Sequence, residues 1–320
     1  MTATAVALVA RSGLIEAEHT ASVAACDPRG RLTGVAGDVE RRFFARSSAK
    51  PFQAKVAQSL GAALGPEQLA VACASHDGDP IHVALVREML ESAGLKESDL
   101  KCPPARPLSK SADRRRAAAG DLTARRVYNN CSGKHAAMLR ACVAQGWDPA
   151  SYLSPEHPLQ QAVAAEMTSI GALADGATGI DGCGVPVFRV TTVSLARAFA
   201  SLSVSEGYLE IRTAMHRFPA LVSGVGAADA AVAIELHAVA KRGAEACLGV
   251  AVHGFGAIAV KVWDGSDRGV APLLAATLDE LGWVPHGGAD RLGMALARPV
   301  LGGEEPVGSV RGVVQLREAK

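Results

Sequence analysis

The chain has 320 residues, 49% of them hydrophobic, which is enough to bury a large core as one α/β domain or as two closely packed lobes. Its 33 Lys and Arg residues nearly balance 32 Asp and Glu residues, so no strong net charge attracts nucleic acid or an anionic membrane surface. The 7 Cys residues are odd in number and widely spread, which argues against a disulfide framework. The apolar residues 1–10 lack a basic region and are too short to span a membrane. We therefore expect a cytoplasmic protein with a small-molecule ligand.

Both ends of the chain have the sequence pattern of β-strands. Apolar and β-branched runs bounded by turn residues predict an N-terminal meander of strands at residues 6–10, 15–26 and 32–37. Similar runs near the other end predict strands at residues 247–253, 257–264 and 308–316.

Helical patterns occupy the middle of the chain. Apolar residues recur with a period of about 3.6 residues at residues 51–64, 79–94, 135–145, 154–170, 195–202 and 208–218, and again at 272–281. In the second segment Asp79 is the predicted N-cap and Pro80 the first helical residue. The Arg-rich residues 106–126 are more typical of a solvated or mobile loop than of a nucleic-acid surface, and we assign them no function.

This order of elements predicts an α/β (α+β) fold in a single domain, residues 1–320. We expect an antiparallel-rich sheet lobe from about residues 1–45 and 245–320, packed against a mostly helical lobe from about residues 46–244. A functional site is expected where the two lobes meet.

Ser47 and Lys50 are candidate catalytic residues. They are three positions apart, so in the first turn of a helix the lysine amine lies beside the serine hydroxyl. A neutral lysine can take the serine proton, and backbone N–H groups at the helix start can hold an oxyanion. The same spacing also arises by chance in most long proteins, so the pair alone does not establish a catalytic site.

Ser75 and Lys261 are weaker candidates by themselves. Ser75 follows the apolar run Val71-Ala72-Cys73-Ala74, which we interpret as a strand, and it therefore lies at a strand-to-loop edge. The alternative is that Ser75 only stabilises a turn before the Asp79 helix. Lys261 interrupts an apolar strand and must face a cavity, an edge or solvent, and lysines on edge strands are common.

A third cluster is the turn Asn129-Asn130-Cys131-Ser132-Gly133-Lys134-His135, with Cys183 in a second Gly-rich turn. Two thiolates suit zinc, whereas a lysine ligand is rare because its amine must first lose a proton. The spacing matches no recognised zinc motif, so from the residues alone both a metal site and a plain turn remain open. His135 alone is more typical of a turn or core histidine than of a ligand.

Taken together, these clusters resemble the Rhizobium etli-type L-asparaginases, also called the asparaginase II-like or class 3 family. The resemblance covers nearly the whole chain, in order and in spacing. Its segments are Arg11-Ser12-Gly13, Arg46-Ser47-Ser48-Ala49-Lys50-Pro51, Ala74-Ser75-His76, residues 129–135, Gly179-Ile180-Asp181-Gly182-Cys183-Gly184-Val185-Pro186, Lys241-Arg242-Gly243-Ala244-Glu245 and Val260-Lys261.

The resemblance implies hydrolysis of L-asparagine to L-aspartate and ammonia by a homodimer with a fold similar to serine β-lactamases and glutaminases. It implies a zinc ion, one per chain, with water at a fourth position. It further implies these roles: Ser47 the nucleophile and Lys50 its activating partner, Ser75 and Lys261 a second Ser-Lys tandem, Arg46, Asp181 and His135 substrate-binding residues, and Cys131, Lys134 and Cys183 the zinc ligands.

Two other functions are considered, and one segment differs from the family pattern. A β-lactamase-like or penicillin-recognising enzyme shares Ser-x-x-Lys, but Val262-Trp263 follows Lys261 where that class needs Thr/Ser-Gly. A metal-binding sensor would explain Cys131 and Cys183 and leave Ser47-Lys50 unexplained. The departure is at residues 102–107, where a histidine usual in the family's Cys-Gly-x-His-x-Pro segment is absent; it puts loop conformation or substrate affinity in question.

Overall fold

The computed structural model describes residues 3–224, 227–284, 292–293 and 296–319. Its strands β1 to β11 are, in chain order, Thr4–Arg11, Leu14–Cys26, Leu32–Ala36, Phe43–Phe44, Thr178–Ile180, Pro186–Val190, Ala238–Gly243, Cys247–Val252, Gly256–Val262, Pro299–Gly302 and Glu305–Gln315. Its helices α1 to α11 are Lys50–Ala57, Pro66–Cys73, Pro80–Glu91, Lys110–Ala118, Ser132–Gln145, Pro158–Ser169, Thr192–Val204, Leu209–Arg217, Pro219–Ser223, Ala228–Glu235 and Val270–Glu280.

Both chain ends contribute to one antiparallel sheet. The strand order is β10-β11-β1-β2-β9-β8-β7, with β3 paired to β2, which makes 8 strands. The N-terminal and C-terminal parts meet where β2 pairs with β9, for example Val23 opposite Val260, and where β1 pairs with β11. The predicted fold class, a sheet from both ends packed against a helical middle, is confirmed.

Side chains that alternate along the strands bury the sheet on both faces. Ala24 and Ala259 face a core built mainly from the middle helices, including Phe52 of α1 and Phe199 of α7. Val23 and Val260 face a second core that α11 covers. The strands near the helical lobe are therefore enclosed, and a side chain that leaves β7 toward this lobe enters a low-polarity region.

Three local predictions need correction. The run from Val71 to Cys73 is the end of α2 rather than a strand, because Pro66 starts a helix there that packs on α5. The Arg-rich segment contains α4, whose first turn is capped by the Ser109 hydroxyl accepting from the Ala112 amide at 3.3 Å. The C-terminal part of the sheet begins at β7, Ala238, earlier than residue 245.

A smaller sheet of 3 strands, in the order β4-β6-β5, lies beside the main one. It carries the turn with Asp181 and Cys183, which directly follows β5. Within the described ranges, no helix is both long and apolar enough to cross a membrane.

Candidate active site

Ser47 lies in a tight helical turn, Arg46–Ala49, that runs directly into α1. Arg46 has a φ of 49°, in the left-handed region that non-glycine residues rarely adopt. Ser47 is half-buried, and Lys50 is fully buried one turn later. Ser47 and Lys50 therefore lie one turn apart at the start of α1, and the hydrogen bonds of the Lys50 amine go to other residues.

The amine of Lys50 is the centre of the site. It donates hydrogen bonds to the Ala74 carbonyl at 2.6 Å, the Ser75 Oγ at 3.1 Å and the Asn130 carbonyl at 3.2 Å. These acceptors come from two loops that are distant in sequence. Lys50 therefore joins the Ser47 helix, the Ser75 segment and the residues 129–135 turn in one place.

Ser75 follows the end of α2 and is fixed by backbone contacts. Its N–H donates to the Val222 carbonyl at 3.1 Å, and the next amide, His76, donates to the Asn130 carbonyl at 3.3 Å. The ring of His76 also lies 2.9 Å from the Ser132 Oγ. The Ser75 hydroxyl is thus presented by a rigid loop.

Gly133 explains how α5 approaches this loop so closely. A Cβ built at Gly133 would lie 2.4 Å from the carbonyl oxygen of Val71 in α2. A side chain at this position would push the two helices apart. The glycine in the cluster is therefore required by packing, and it brings the Cys131 and Lys134 side chains of the α5 start into the site region.

Lys241 on β7 is a site residue whose role the sequence did not indicate, although Lys241-Arg242-Gly243 is part of the family resemblance. Its side chain is completely buried. Its pKa is lowered to about 8, mainly by burial and also by the charges of Lys50 and Arg242, while the charges of Asp229 and Cys131 oppose the shift. The charges of both Lys50 and Cys131 therefore act on this amine, which donates to the Arg242 carbonyl at 2.9 Å.

Gly243, two residues after Lys241, has a steric role in this arrangement. A Cβ at Gly243 would lie 2.7 Å from the Ala45 carbonyl and 3.2 Å from the Ser48 amide. The Ser47 turn can approach β7 only because this residue has no side chain. The Lys-x-Gly spacing on a strand beside Ser-x-x-Lys is the signal that could have identified Lys241.

Lys261 occupies a different part of the sheet. It lies on β9, between β2 and β8, and its amine donates to the carbonyl oxygens of Val262, at 2.9 Å, and Glu245. It also lies 5.7 Å from the Phe43 ring centre and 5.6 Å from that of Trp263. In the structure Ser75 therefore contacts Lys50, whereas Lys261 has other partners. Lys261 lies neither on an edge strand nor in solvent.

Arg46 and Asp181 form an ion pair next to Ser47, with Arg46 Nε 2.6 Å from Asp181 Oδ1. Burial raises the pKa of Asp181, but the Lys134 charge and the Arg46 hydrogen bond outweigh it and lower the pKa overall. The two residues expected to bind opposite ends of an amino acid are therefore adjacent and ionised.

Cys131, Lys134 and Cys183, the zinc ligands that the resemblance implies, lie close to one another. Lys134 Nζ donates to Cys183 Sγ at 3.3 Å. Interaction with the Cys183 thiol, helped by the charges of Lys50 and Lys134, lowers the pKa of Cys131, whereas the same interaction and burial raise the pKa of Cys183. Burial lowers the pKa of Lys134, but the charges of Cys183, Cys131 and Asp181 together outweigh it and raise the pKa.

This donor set fits a zinc ion in its chemistry. Two sulfur atoms and one nitrogen match zinc's preferences, and the lowered pKa of Cys131 favours the thiolate form that binds a metal. The lysine amine must also lose a proton, which its raised pKa opposes. Among the described residues, no group of three or more His, Cys, Asp and Glu side chains is arranged to hold a metal ion, so the lysine is needed for a third protein ligand.

His135, which the resemblance implied to bind substrate, belongs to the residues 129–135 turn. The loop at residues 102–107, where the family's histidine is absent, lies against the same turn. His135 is fully buried, and its Nδ1 lies 2.6 Å from the Tyr152 hydroxyl. Burial, with the charges of Lys134 and Lys50, lowers the pKa of His135 well below its ordinary value. The Pro103 carbonyl accepts from Asn129 at 2.9 Å, so the loop that lacks the family's histidine still contacts the residues 129–135 turn.

Comparisons with known proteins find similar solved structures and one family. A search of curated proteins finds no match. Among solved structures, Mglu in its tris and glutamate form is 16% identical with a TM-score of 0.38, covering 87% of this chain and 63% of that chain. Mglu in its native form is 15% identical with a TM-score of 0.37, covering 81% of this chain and 63% of that chain. This chain thus spans less than two thirds of the length of these structures.

The family comparison is more extensive, because residues 7–312 match the family described as L-asparaginase II. The match includes the Ser47 turn, the Ser75 loop, the residues 129–135 turn and the Lys241 strand. The chain belongs to the L-asparaginase II family.

Proposed function

We propose that this protein hydrolyses L-asparagine to L-aspartate and ammonia with a serine nucleophile that lysine activates. The observation that carries the proposal is the position of Lys50, whose buried amine binds Ser75 and two backbone carbonyls one turn after Ser47. Membership of the L-asparaginase II family supports the reaction. The Ser-Lys mechanism itself is our inference from the residues.

Ser47 is the proposed nucleophile and Lys50 its proton acceptor. The Ser47 hydroxyl attacks the side-chain amide carbon, Lys50 takes its proton and passes it to the leaving ammonia, and water then releases the acyl-enzyme. Backbone N–H groups at the start of the Ser47 helix stabilise the oxyanion. Ser75, in contact with the same amine at 3.1 Å, is placed to relay the proton.

In this proposal Lys241 has the role that the family resemblance implied for Lys261. A second buried amine near Lys50 keeps positive charge beside the reacting carbonyl, and its pKa of about 8 leaves it mostly protonated at neutral pH. Lys261 instead stabilises the β8–β9 region through its carbonyl partners and aromatic rings.

Arg46 and Asp181 are the proposed partners of the substrate's α-carboxylate and α-ammonium. They now pair with each other at 2.6 Å, and an amino acid carries the complementary charges to insert between them. Cys131, Lys134 and Cys183 would hold the zinc ion, which when bound supplies a Lewis-acidic charge beside the substrate. A homodimer remains part of the proposal, and light scattering of the purified protein tests it.

One assay separates this function from its alternatives. With purified protein, ammonia release from L-asparagine and from L-glutamine is measured side by side with hydrolysis of a β-lactam. Turnover of asparagine supports the proposal, whereas preferred turnover of the β-lactam or glutamine would assign the alternative enzyme. Zinc binding without any turnover would favour the sensor.

A further inference from the structure

A buried carboxylate lies between the Ser75 loop and the Lys241 strand. Asp229, on α10, has a side chain only 1% exposed. Its Oδ2 atom accepts a hydrogen bond from the Ser223 hydroxyl at 2.6 Å and a longer one from the Arg242 backbone amide at 3.4 Å. One oxygen therefore contacts two separate chain segments.

Each of these segments leads directly to a residue of the site. Ser223 follows Val222, whose carbonyl accepts the Ser75 amide at 3.1 Å. Arg242 follows Lys241 on β7. The path from the Ser75 loop to the Lys241 strand thus passes through a single carboxylate oxygen.

The charge of Asp229 also acts on a residue of the site. Its second oxygen, Oδ1, is buried without a hydrogen bond and lies 4.0 Å from the Arg242 guanidinium. A buried carboxylate with an unsatisfied oxygen is costly to maintain. The groups whose charges act on the Lys241 amine are Asp229 from α10, Lys50 from α1, Arg242 from its own strand and Cys131 at the start of α5.

We propose that Asp229 is a positioning residue of the active site: its Oδ2 atom holds the Ser75 loop against the Lys241 strand, and its charge acts on the Lys241 amine. This inference rests on the proposed asparaginase function. It adds a residue that touches neither substrate nor the reacting atoms and that none of the sequence motifs contains.

Three substitutions separate the effect of the two hydrogen bonds to Oδ2 from the effect of the negative charge. Asp229→Ala removes both. Asp229→Asn keeps an oxygen that can accept both hydrogen bonds but removes the charge, and Asp229→Glu restores the charge on a longer side chain. Glu166→Gln is the matched control, because Glu166 is a half-buried carboxylate, 14% exposed, that pairs with Lys55 at 2.7 Å elsewhere in the helical lobe.

Two readouts are measured for each variant: the pH profile of kcat/KM for asparagine, and hydrogen–deuterium exchange of residues 74–78 and 219–224. Asp229→Ala should lose kcat/KM on the order of 10²-fold, since displacement by about 1 Å has that effect, and should exchange faster in both segments. Asp229→Asn should keep wild-type exchange but move the alkaline limb to lower pH. Asp229→Glu should recover part of the lost activity, and Glu166→Gln should change neither readout.

Opposite results overturn the inference. Wild-type kcat/KM in Asp229→Ala, or lost activity without faster exchange in either segment, would show that Oδ2 does not hold the Ser75 loop against the Lys241 strand. An unchanged alkaline limb in Asp229→Asn would remove the role of the charge. If the wild-type protein releases no ammonia from asparagine, the proposed function fails, and the exchange comparison of Asp229→Ala with Glu166→Gln still decides whether Asp229 positions the loop.

Discussion

The Lys50 amine donates a hydrogen bond to the Ser75 hydroxyl at 3.1 Å, although 25 positions separate the two residues. The amine of the residue one turn after Ser47 therefore contacts a second serine, Ser75. The order of their roles is therefore open to a direct test.

Replacing Ser47 or Lys50 with Ala should reduce kcat by about 10³-fold or more, because a nucleophile or its base is lost. Ser75→Ala should have a smaller effect if it only relays the proton. Steady-state kinetics on asparagine, with circular dichroism to confirm folding, make the comparison. Near wild-type turnover in Ser47→Ala would make Ser75 the nucleophile and reverse our assignment.

Lys241 and Lys261 offer a matched pair of buried lysines. Lys241→Met should lower kcat/KM by about 10²-fold or more, since it removes a charge beside the reacting groups. Lys261→Met should lower activity much less and instead lower the melting temperature, because its amine binds the Glu245 and Val262 carbonyls. Equal losses of activity in the two variants would restore Lys261 to the site.

The stability of the protein should depend on pH through Lys241. Its pKa falls from the ordinary 10.5 to about 8 in the folded protein, chiefly through burial. Between these pH values the unfolded chain holds a proton that the folded chain has released, so stability rises with pH across this window and the gain is lost as pH falls through about 8.

Urea unfolding at several pH values measures this effect as the difference between wild type and Lys241→Met. The wild type should gain at most about 1.4 kcal/mol per pH unit relative to the variant between the two pKa values. A constant difference across this window would show that Lys241 keeps its ordinary pKa.

Cys131, Lys134 and Cys183 should bind one zinc ion per chain, and binding should weaken below neutral pH as the ligands take up protons. Elemental analysis of protein purified without chelator measures the occupancy. Cys183→Ser should lower it, whereas Cys142→Ser, a buried cysteine of α5 outside the cluster, should not. Full activity in zinc-free protein would exclude the metal from the mechanism.

The sequence predicted the elements with strong periodicity or local motifs. The strands at residues 15–26 and 257–264 and the Ser47 turn were placed well because alternation and helix-start signals are local. The segment before Ser75 was predicted wrongly, because a four-residue apolar run cannot distinguish a strand from a buried helix end. Asp229 could not be found at all, since its partners, Ser223 and Arg242, are set by tertiary packing.

The last prediction concerns the choice between asparagine and glutamine. The Arg46–Asp181 pair, 2.6 Å apart, is the proposed anchor for the α-carboxylate and α-ammonium of the substrate. Fixing that end sets one distance to Ser47, so glutamine's extra methylene displaces its amide carbon by about a bond length. A misplacement on the order of 1 Å can cost about 10²-fold in rate, and we expect a preference for asparagine of that size in kcat/KM.

Asp181→Asn provides the control for this distance argument. It keeps the size of the side chain but removes the charge that holds the α-ammonium, so asparagine should bind more loosely and KM should rise. Because the anchor is weakened for both substrates, the preference for asparagine should shrink as well. A glutamine kcat/KM within about threefold of that for asparagine in the wild-type protein would show that the anchor does not set substrate length.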